Sequence, residues 1–210
     1  MITNIKISSL VLLILTIIGC QNSDRKEKQL IQKEYGKWKT ENDSLGVELE
    51  LNRFSNWKDL LERTERIVCN DSLPKITLKT DEELKTIYFR NPCWGNFSCI
   101  LIKQKNVIEI HNGTINKNDE NFYPLDSLES VLRRDIENNG KNPKLSDNPD
   151  KLLIYISYDN NGFKKLPETL DKLTQTYNRI TNKTDIKIWL NEKIYVLPPP
   201  PPPKELNKIE

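Results

Sequence analysis

The sequence predicts an α+β domain, a small mixed sheet with two helices packed on one face, preceded by a helical N-terminal segment. Three observations carry that expectation. Apolar residues recur at helical spacing over 124–138 and again over 163–180. Between them lies Leu152-Leu153-Ile154-Tyr155-Ile156, a dense apolar and β-branched run suited to a central strand. Upstream, Asn112-Gly113 sits between Val107-Ile108-Glu109-Ile110 and Thr114-Ile115, and this pair favours a type I′ hairpin turn because both central residues need positive φ.

Taken in order, the chain begins with Lys6 and an apolar stretch from Ile7 to Gly19. A membrane-spanning helix needs about 20 apolar residues, so this stretch is short for a permanent span and reads as a signal peptide over residues 1–19. Ile17-Ile18-Gly19-Cys20 resembles the lipobox of bacterial lipoproteins: apolar residues, a small residue, then the thiol that takes the lipid. Cys20 is therefore the expected lipidation site. The expected location is the bacterial cell envelope, the outer membrane being the favoured bilayer, with the domain outside the cytoplasm. Each methylene of an acyl chain buried in a bilayer adds about 0.8 kcal/mol, so two or three chains hold a protein durably.

Composition narrows the rest. The net charge is +2, and loss of Lys6 with the signal leaves +1, a balance that calls for no nucleic acid. Alanine is absent from the chain, and Lys, Asn and Ile are abundant. No fold excludes the best helix former, so the bias is assigned to the source genome. Of the cysteines after Cys20, Cys93 and Cys99 frame a loop containing Gly95-Asn96, and a Cys93–Cys99 disulfide is the favoured pairing in an oxidising envelope. Pairing of Cys69 with either one stays open. The spacing is not that of a zinc knuckle, and no cofactor or metal is expected.

Residues 20–50 read as a polar tether with Leu30, Ile31, Tyr35 and Trp38 at helical spacing. Residues 51–98 read as a helical and irregular subdomain. Within it, Ser55 is placed to cap a helix over 56–69 through Trp57, Leu60, Leu61, Ile67 and Val68. Thr80-Asp81-Glu82-Glu83 has the acidic start of a helix, whereas Thr86-Ile87-Tyr88-Phe89-Arg90 fits a strand equally well. The α+β domain proper is expected over 99–197. Its elements are a strand at Ile100-Leu101-Ile102, a turn, the Val107–Ile110 hairpin, and a helix from Pro124 to about Asn138. The 152–156 strand follows, then a helix through Phe163, Leu166, Leu170, Leu173, Tyr177 and Ile180, and a strand at Ile186-Lys187-Ile188-Trp189-Leu190, with Tyr195-Val196-Leu197 extending it or pairing with it.

No strong catalytic constellation emerges. His111, the only histidine, ends a strand pattern without an identifiable orienting partner. Asp126 and Glu129 open a helix, where carboxylates usually serve the dipole, and Asp159-Asn160-Asn161-Gly162 reads as a turn. Lys164 and Lys165 open the last helix and are candidates for an anion site, with solvated positions the plainer reading.

The order just described, from Ile100 through Asn112-Gly113, the Leu-rich helix, Leu153-Ile154-Tyr155-Ile156 leading to Asp159, the 163–180 helix and Ile186-Lys187-Ile188, resembles the periplasmic domain of the ExbD/TolR biopolymer-transport family. The likeness covers roughly residues 75–197. It implies a non-catalytic binding or assembly module, accessory to biopolymer transport, that forms a homodimer and contacts envelope transport proteins or cell-wall polymer. Members of that family carry an Asp in a membrane helix. Ile7–Gly19 carries none, so proton coupling is not implied. The alternative is an envelope enzyme acting on a cell-wall or surface polymer.

Residues 198–210 form a tail that opens with six consecutive prolines, Pro198–Pro203. At about 3.1 Å per residue they make a polyproline II rod of roughly 19 Å. It reads as a stiff spacer or as a ligand for an aromatic-lined groove.

Overall fold

The computed structural model describes residues 30–38, 45–80, 82–96, 101–118 and 121–193. Two mixed sheets and three helices are built from them. The first sheet has the order β1-β4-β3-β2, from β1 (Ile31–Tyr35), β2 (Gly46–Glu48), β3 (Leu73–Lys79) and β4 (Glu83–Tyr88). The second has the order β7-β6-β5-β8-β9, from β5 (Val107–His111), β6 (Thr114–Lys117), β7 (Asn121–Pro124), β8 (Leu153–Ser157) and β9 (Ile188–Leu190). In it β5, β8 and β9 run parallel, while β6 and β7 are antiparallel additions. Helix α1 (Trp57–Val68) precedes β3, α2 (Leu128–Ile136) leads into β8, and α3 (Leu166–Thr181) joins β8 to β9.

Period-2 alternation sorts the strands of the second sheet. Ile108, Ile110, Ile154, Ile156, Ile188 and Leu190 point into the main core, whereas Val107, Leu153 and Tyr155 form a smaller cluster with Ile102 and Trp189 on the opposite face. Helix α3 buries Leu166, Leu170, Leu173 and Tyr177, each leucine contributing about 1.5–3 kcal/mol by leaving water. Pro167 sits in its first turn, where no intrahelical donor is lost, and Asn182 ends it at φ 54°. The same core takes Trp57, Leu60 and Ile67 from α1 with Ile76 and Ile87 from the first sheet, and the described residues from Gln32 onward belong to one compact unit. The expected boundary between 51–98 and 99–197 therefore separates no cores.

The sheets also meet through hydrogen bonds. Arg90 N donates to Ile188 O at 2.8 Å, and the Asn91 amide both donates to Leu190 O (2.6 Å) and accepts from Leu190 N (3.0 Å). The side chain of Asn91 thus acts as one more peptide unit along β9, covering an edge that would otherwise be open.

Several expectations are corrected. The stretch read as tether and possible helix contains β1, a strand whose Tyr35 is 1% exposed. The 80–90 ambiguity resolves to a strand, β4, paired antiparallel to β3. Leu101–Lys103 is irregular, with Leu101 94% exposed, because Lys103 leads into a 3₁₀ turn at Gln104–Asn106 and the ladder begins only at Val107. The cap of α1 is Asn56, whose side chain accepts from Asp59 N, not Ser55. Pro124, expected to open a helix, instead ends β7 (Asn121–Pro124), and the helix starts at Leu128 after a 3₁₀ turn at Leu125–Ser127. The favoured Cys93–Cys99 disulfide is replaced by Cys69–Cys93, with Cα atoms 4.8 Å apart. The end of α1 lies against the segment after β4, which brings Cys69 within bridging distance of Cys93. Cys20, Cys99, Ile100, Tyr195–Leu197 and the proline run lie outside the described residues. Among the described residues, no helix is long and apolar enough to cross a membrane.

Candidate functional site

The carboxyl ends of β5 and β8 meet side by side, and in sheets with parallel strands this is where ligand crevices form. The register sets His111 opposite Ser157. Immediately beyond, Asn112 turns through the hairpin at φ 49°, followed by Gly113 at φ 79°, the positive-φ pair the Asn-Gly turn predicts. On the other strand, Tyr158 and Asp159 lead into the 3₁₀ turn Gly162–Lys165 and on to α3.

Four side chains close a network there. His111 Nδ1 lies 2.9 Å from Ser157 Oγ. Asn112 Nδ2 donates to Asp159 Oδ2 at 2.6 Å and sits 3.1 Å from His111 Nε2. Asn112 Oδ1 accepts from Asp159 N at 3.1 Å, which fixes the way round of the amide. An N–H then faces Nε2, so Nε2 accepts, and the proton of the neutral imidazole belongs on Nδ1, donated to Ser157 Oγ. Asp159 Oδ1 is 3.5 Å from Nε2, farther than the amide. Burial pushes the His111 pKa below 6.5, and the nearby Lys193 charge adds to that, with Asp159 pulling back. The ring is therefore neutral near pH 7.

Packing supports the network from behind. A Cβ on Gly162 would stand 2.7 Å from Asn112 Oδ1, so a larger residue there would push the Asn112 amide out of this position. Tyr158 is buried, its hydroxyl 2.6 Å from Thr169 Oγ1 of α3 and its ring edge-on to Trp57 of α1, with centroids 5.4 Å apart. The resulting crevice, about 480 Å³, is lined by Asn112, Tyr158, Asp159, Asn160, Asn161 and Lys165, among others. Its rim offers amide donors and acceptors, one carboxylate and one ammonium, a set suited to a polar ligand.

The other candidates fall elsewhere. Asp126 is ion-paired with Lys172, and Glu129 with Arg133 and Arg179, so these cations hold both carboxyls below their ordinary values. They tie α2 to α3 on the surface. Lys165 reaches the crevice, whereas Lys164 does not line it. Among the described residues no group of three or more His, Cys, Asp or Glu side chains is placed to hold a metal. Sequence reasoning missed Ser157 and the role of Asn112. A signal was present: Val-Ile-Glu-Ile-His (107–111) and Leu-Ile-Tyr-Ile-Ser (153–157) share one pattern, and aligned as parallel neighbours they bring His111 to Ser157.

No protein-family model matches the chain, and neither a curated protein nor a solved structure is significantly similar to it.

Proposed function

We propose that the chain is a bacterial envelope lipoprotein, anchored through Cys20, whose α+β domain is a non-catalytic binding or assembly module of ExbD/TolR-like character. The anchor rests on the Ile17–Cys20 pattern. One observation carries the binding role: the polar groups at the carboxyl ends of β5 and β8 are spent on one another, with Asn112 holding His111 in the tautomer that donates to Ser157 Oγ. A serine nucleophile needs a base that accepts its proton, and this ring offers a donor instead. The crevice is left as a rigid polar surface for a partner, and envelope transport proteins or cell-wall polymer are the partners the resemblance implies.

The second reading, an envelope hydrolase, is favoured by the sequence of contacts Ser157–His111–Asp159, in which the histidine lies between a hydroxyl and a carboxylate. Two experiments separate the readings. Fatty-acid analogue labelling is expected to mark the wild-type chain and to vanish in Cys20→Ser. Crosslinking and affinity purification from membranes is expected to recover the same partners with Ser157→Ala as with wild type, and to lose them with Asn160→Arg, which crowds the crevice rim. Turnover of envelope polymer by the wild type that Ser157→Ala abolishes overturns the binding role.

A further inference from the structure

A second pocket, of about 640 Å³, opens between β1, β4 and the later turns of α3, and it shares no lining residue with the His111 crevice. Small-molecule sites occupy about 300–1,000 Å³, but their walls are mostly apolar, and here every lining side chain is polar. Lys33 and Tyr35 of β1 line it together with Glu83 and Lys85 of β4 and Gln175 and Asn178 of α3. Its floor is fixed. The Tyr35 ring belongs to the main core and the residue is 1% exposed, which leaves its hydroxyl end to meet the pocket. Of the charges that act on that hydroxyl, Lys33, Lys85 and Glu83 line the pocket and Asp171 pairs with Lys85 behind it. Gly36, next in the chain, donates its N–H to Thr184 O at 2.8 Å and so pins the backbone that carries the ring. A buried phenol ordinarily finds a hydrogen-bond partner, yet no described residue bonds the Tyr35 hydroxyl. Its partner comes from whatever fills the pocket.

The charges around this hydroxyl are balanced. Lys33 pairs with Glu83 at 2.7 Å, and Lys85 pairs with Glu83 at 3.4 Å and Asp171 at 2.6 Å. Glu82 and Arg179 add one charge of each sign to the lining, and Arg179 is met from outside by Glu129, which Arg133 also pairs. These positive and negative groups are equal in number, and along Lys33, Glu83, Lys85 and Asp171 they alternate instead of separating into two poles. A net charge would enter such a pocket uncompensated, and an apolar ligand would take water from polar walls without replacing its hydrogen bonds. A zwitterion would find no separate poles. What fits is an uncharged ligand that donates and accepts at many points, which is the chemistry of sugar hydroxyls. We propose that this pocket binds an uncharged sugar residue, with the Tyr35 hydroxyl as its buried contact and Lys33, Gln175 and Asn178 around it. A free monosaccharide and one unit of a polysaccharide share this chemistry.

Saturation-transfer NMR on the full-length chain in sugar-free detergent micelles tests this. The probes are the methyl glycosides of glucose, galactose, mannose and N-acetylglucosamine and the matching uncharged trisaccharides. At least one is expected to receive saturation from the protein; transfer to a monosaccharide shows that free sugar suffices, and transfer to trisaccharides alone assigns the site to a polymer. Tyr35→Phe is expected to lower the transfer about fivefold, the loss of one hydrogen bond, with the urea midpoint unchanged because the hydroxyl has no partner inside the protein. Gln175→Leu is expected to lower it as well, and Asn160→Arg, at the His111 crevice, to leave it intact. No transfer to any probe overturns the proposal, as does stronger transfer to glucuronate than to methyl glucoside. Full transfer in Tyr35→Phe, or loss of transfer in Asn160→Arg, overturns it by placing the sugar elsewhere. A lowered midpoint in Tyr35→Phe overturns it by showing that the hydroxyl is bonded within the protein.

Discussion

Two lysines, one in each sheet, are equally hidden, each 1% exposed, yet they sit in opposite surroundings. Lys117 of β6 meets Asp135 of α2 at 2.7 Å, and its other donors go to the carbonyls of Lys105 (2.6 Å) and Val107 (3.1 Å). Asp135 is wholly buried and takes Ser146 N as well. Lys85 of β4 meets Asp171 of α3 at 2.6 Å and Glu83 at 3.4 Å, but those carboxylates are 32% and 22% exposed. The first pair is dry on both sides, the second only on one. A dry pair adds little net stability, because desolvation offsets attraction, while removing one partner strands a charge. A half-wet pair lets water take the place of a lost partner.

The largest expected effect follows from stranding Lys117. Asp135→Leu should lower unfolding free energy by about 3–5 kcal/mol, read from urea melts at pH 7, and Lys117→Met/Asp135→Leu should recover most of that loss. A double variant as unstable as the single one would show that Asp135 matters for its own hydrogen bonds and not for the charge. Asp171→Leu should cost only about 1 kcal/mol, since Glu83 and solvent still face Lys85. Equal losses at Asp135 and Asp171 would erase the contrast. Smaller still are the titrations. Burial pushes the Lys117 ammonium below 10.5 against the pull of Asp135, whereas the Glu83 hydrogen bond raises that of Lys33, and side-chain NMR titration should order them so.

The smallest effect belongs to His111. Its folded pKa lies below the 6.5 of the unfolded chain, so the unfolded state binds more protons in the window just below 6.5. Stability attributable to this ring is full above 6.5 and declines as pH falls through that window. A histidine NMR midpoint above 6.5 would contradict the neutral, Asn112-held ring.

The same contrast between local and distant causes explains what could be read beforehand. Helix α3 was legible because Leu166, Leu170, Leu173 and Tyr177 repeat within one segment, and the Asn112-Gly113 turn because its backbone demand is met by its own two residues. Strand β1 was not, since Ile31-Gln32-Lys33-Glu34-Tyr35 has no apolar face of its own. It becomes a strand through distant partners, Lys33 to Glu83 at 2.7 Å and Glu34 to the Tyr88 hydroxyl at 3.0 Å. Ile100-Leu101-Ile102 misled for the converse reason: it has the composition of a strand and, at Leu101, no ladder to join. The candidate site was half legible. His111 and Asp159 stood out as residue types, but their meeting depends on the β5–β8 register and on Gly162, features that link residues over forty positions apart.

Strand β1 also sets a length. Ten residues, 21–30, separate Cys20 from Ile31, where the first described strand starts. Fully extended, ten residues reach at most about 36 Å. On the proposed lipid anchor and binding role, that length is the most by which Ile31 can stand off the bilayer, and a partner is met at the membrane.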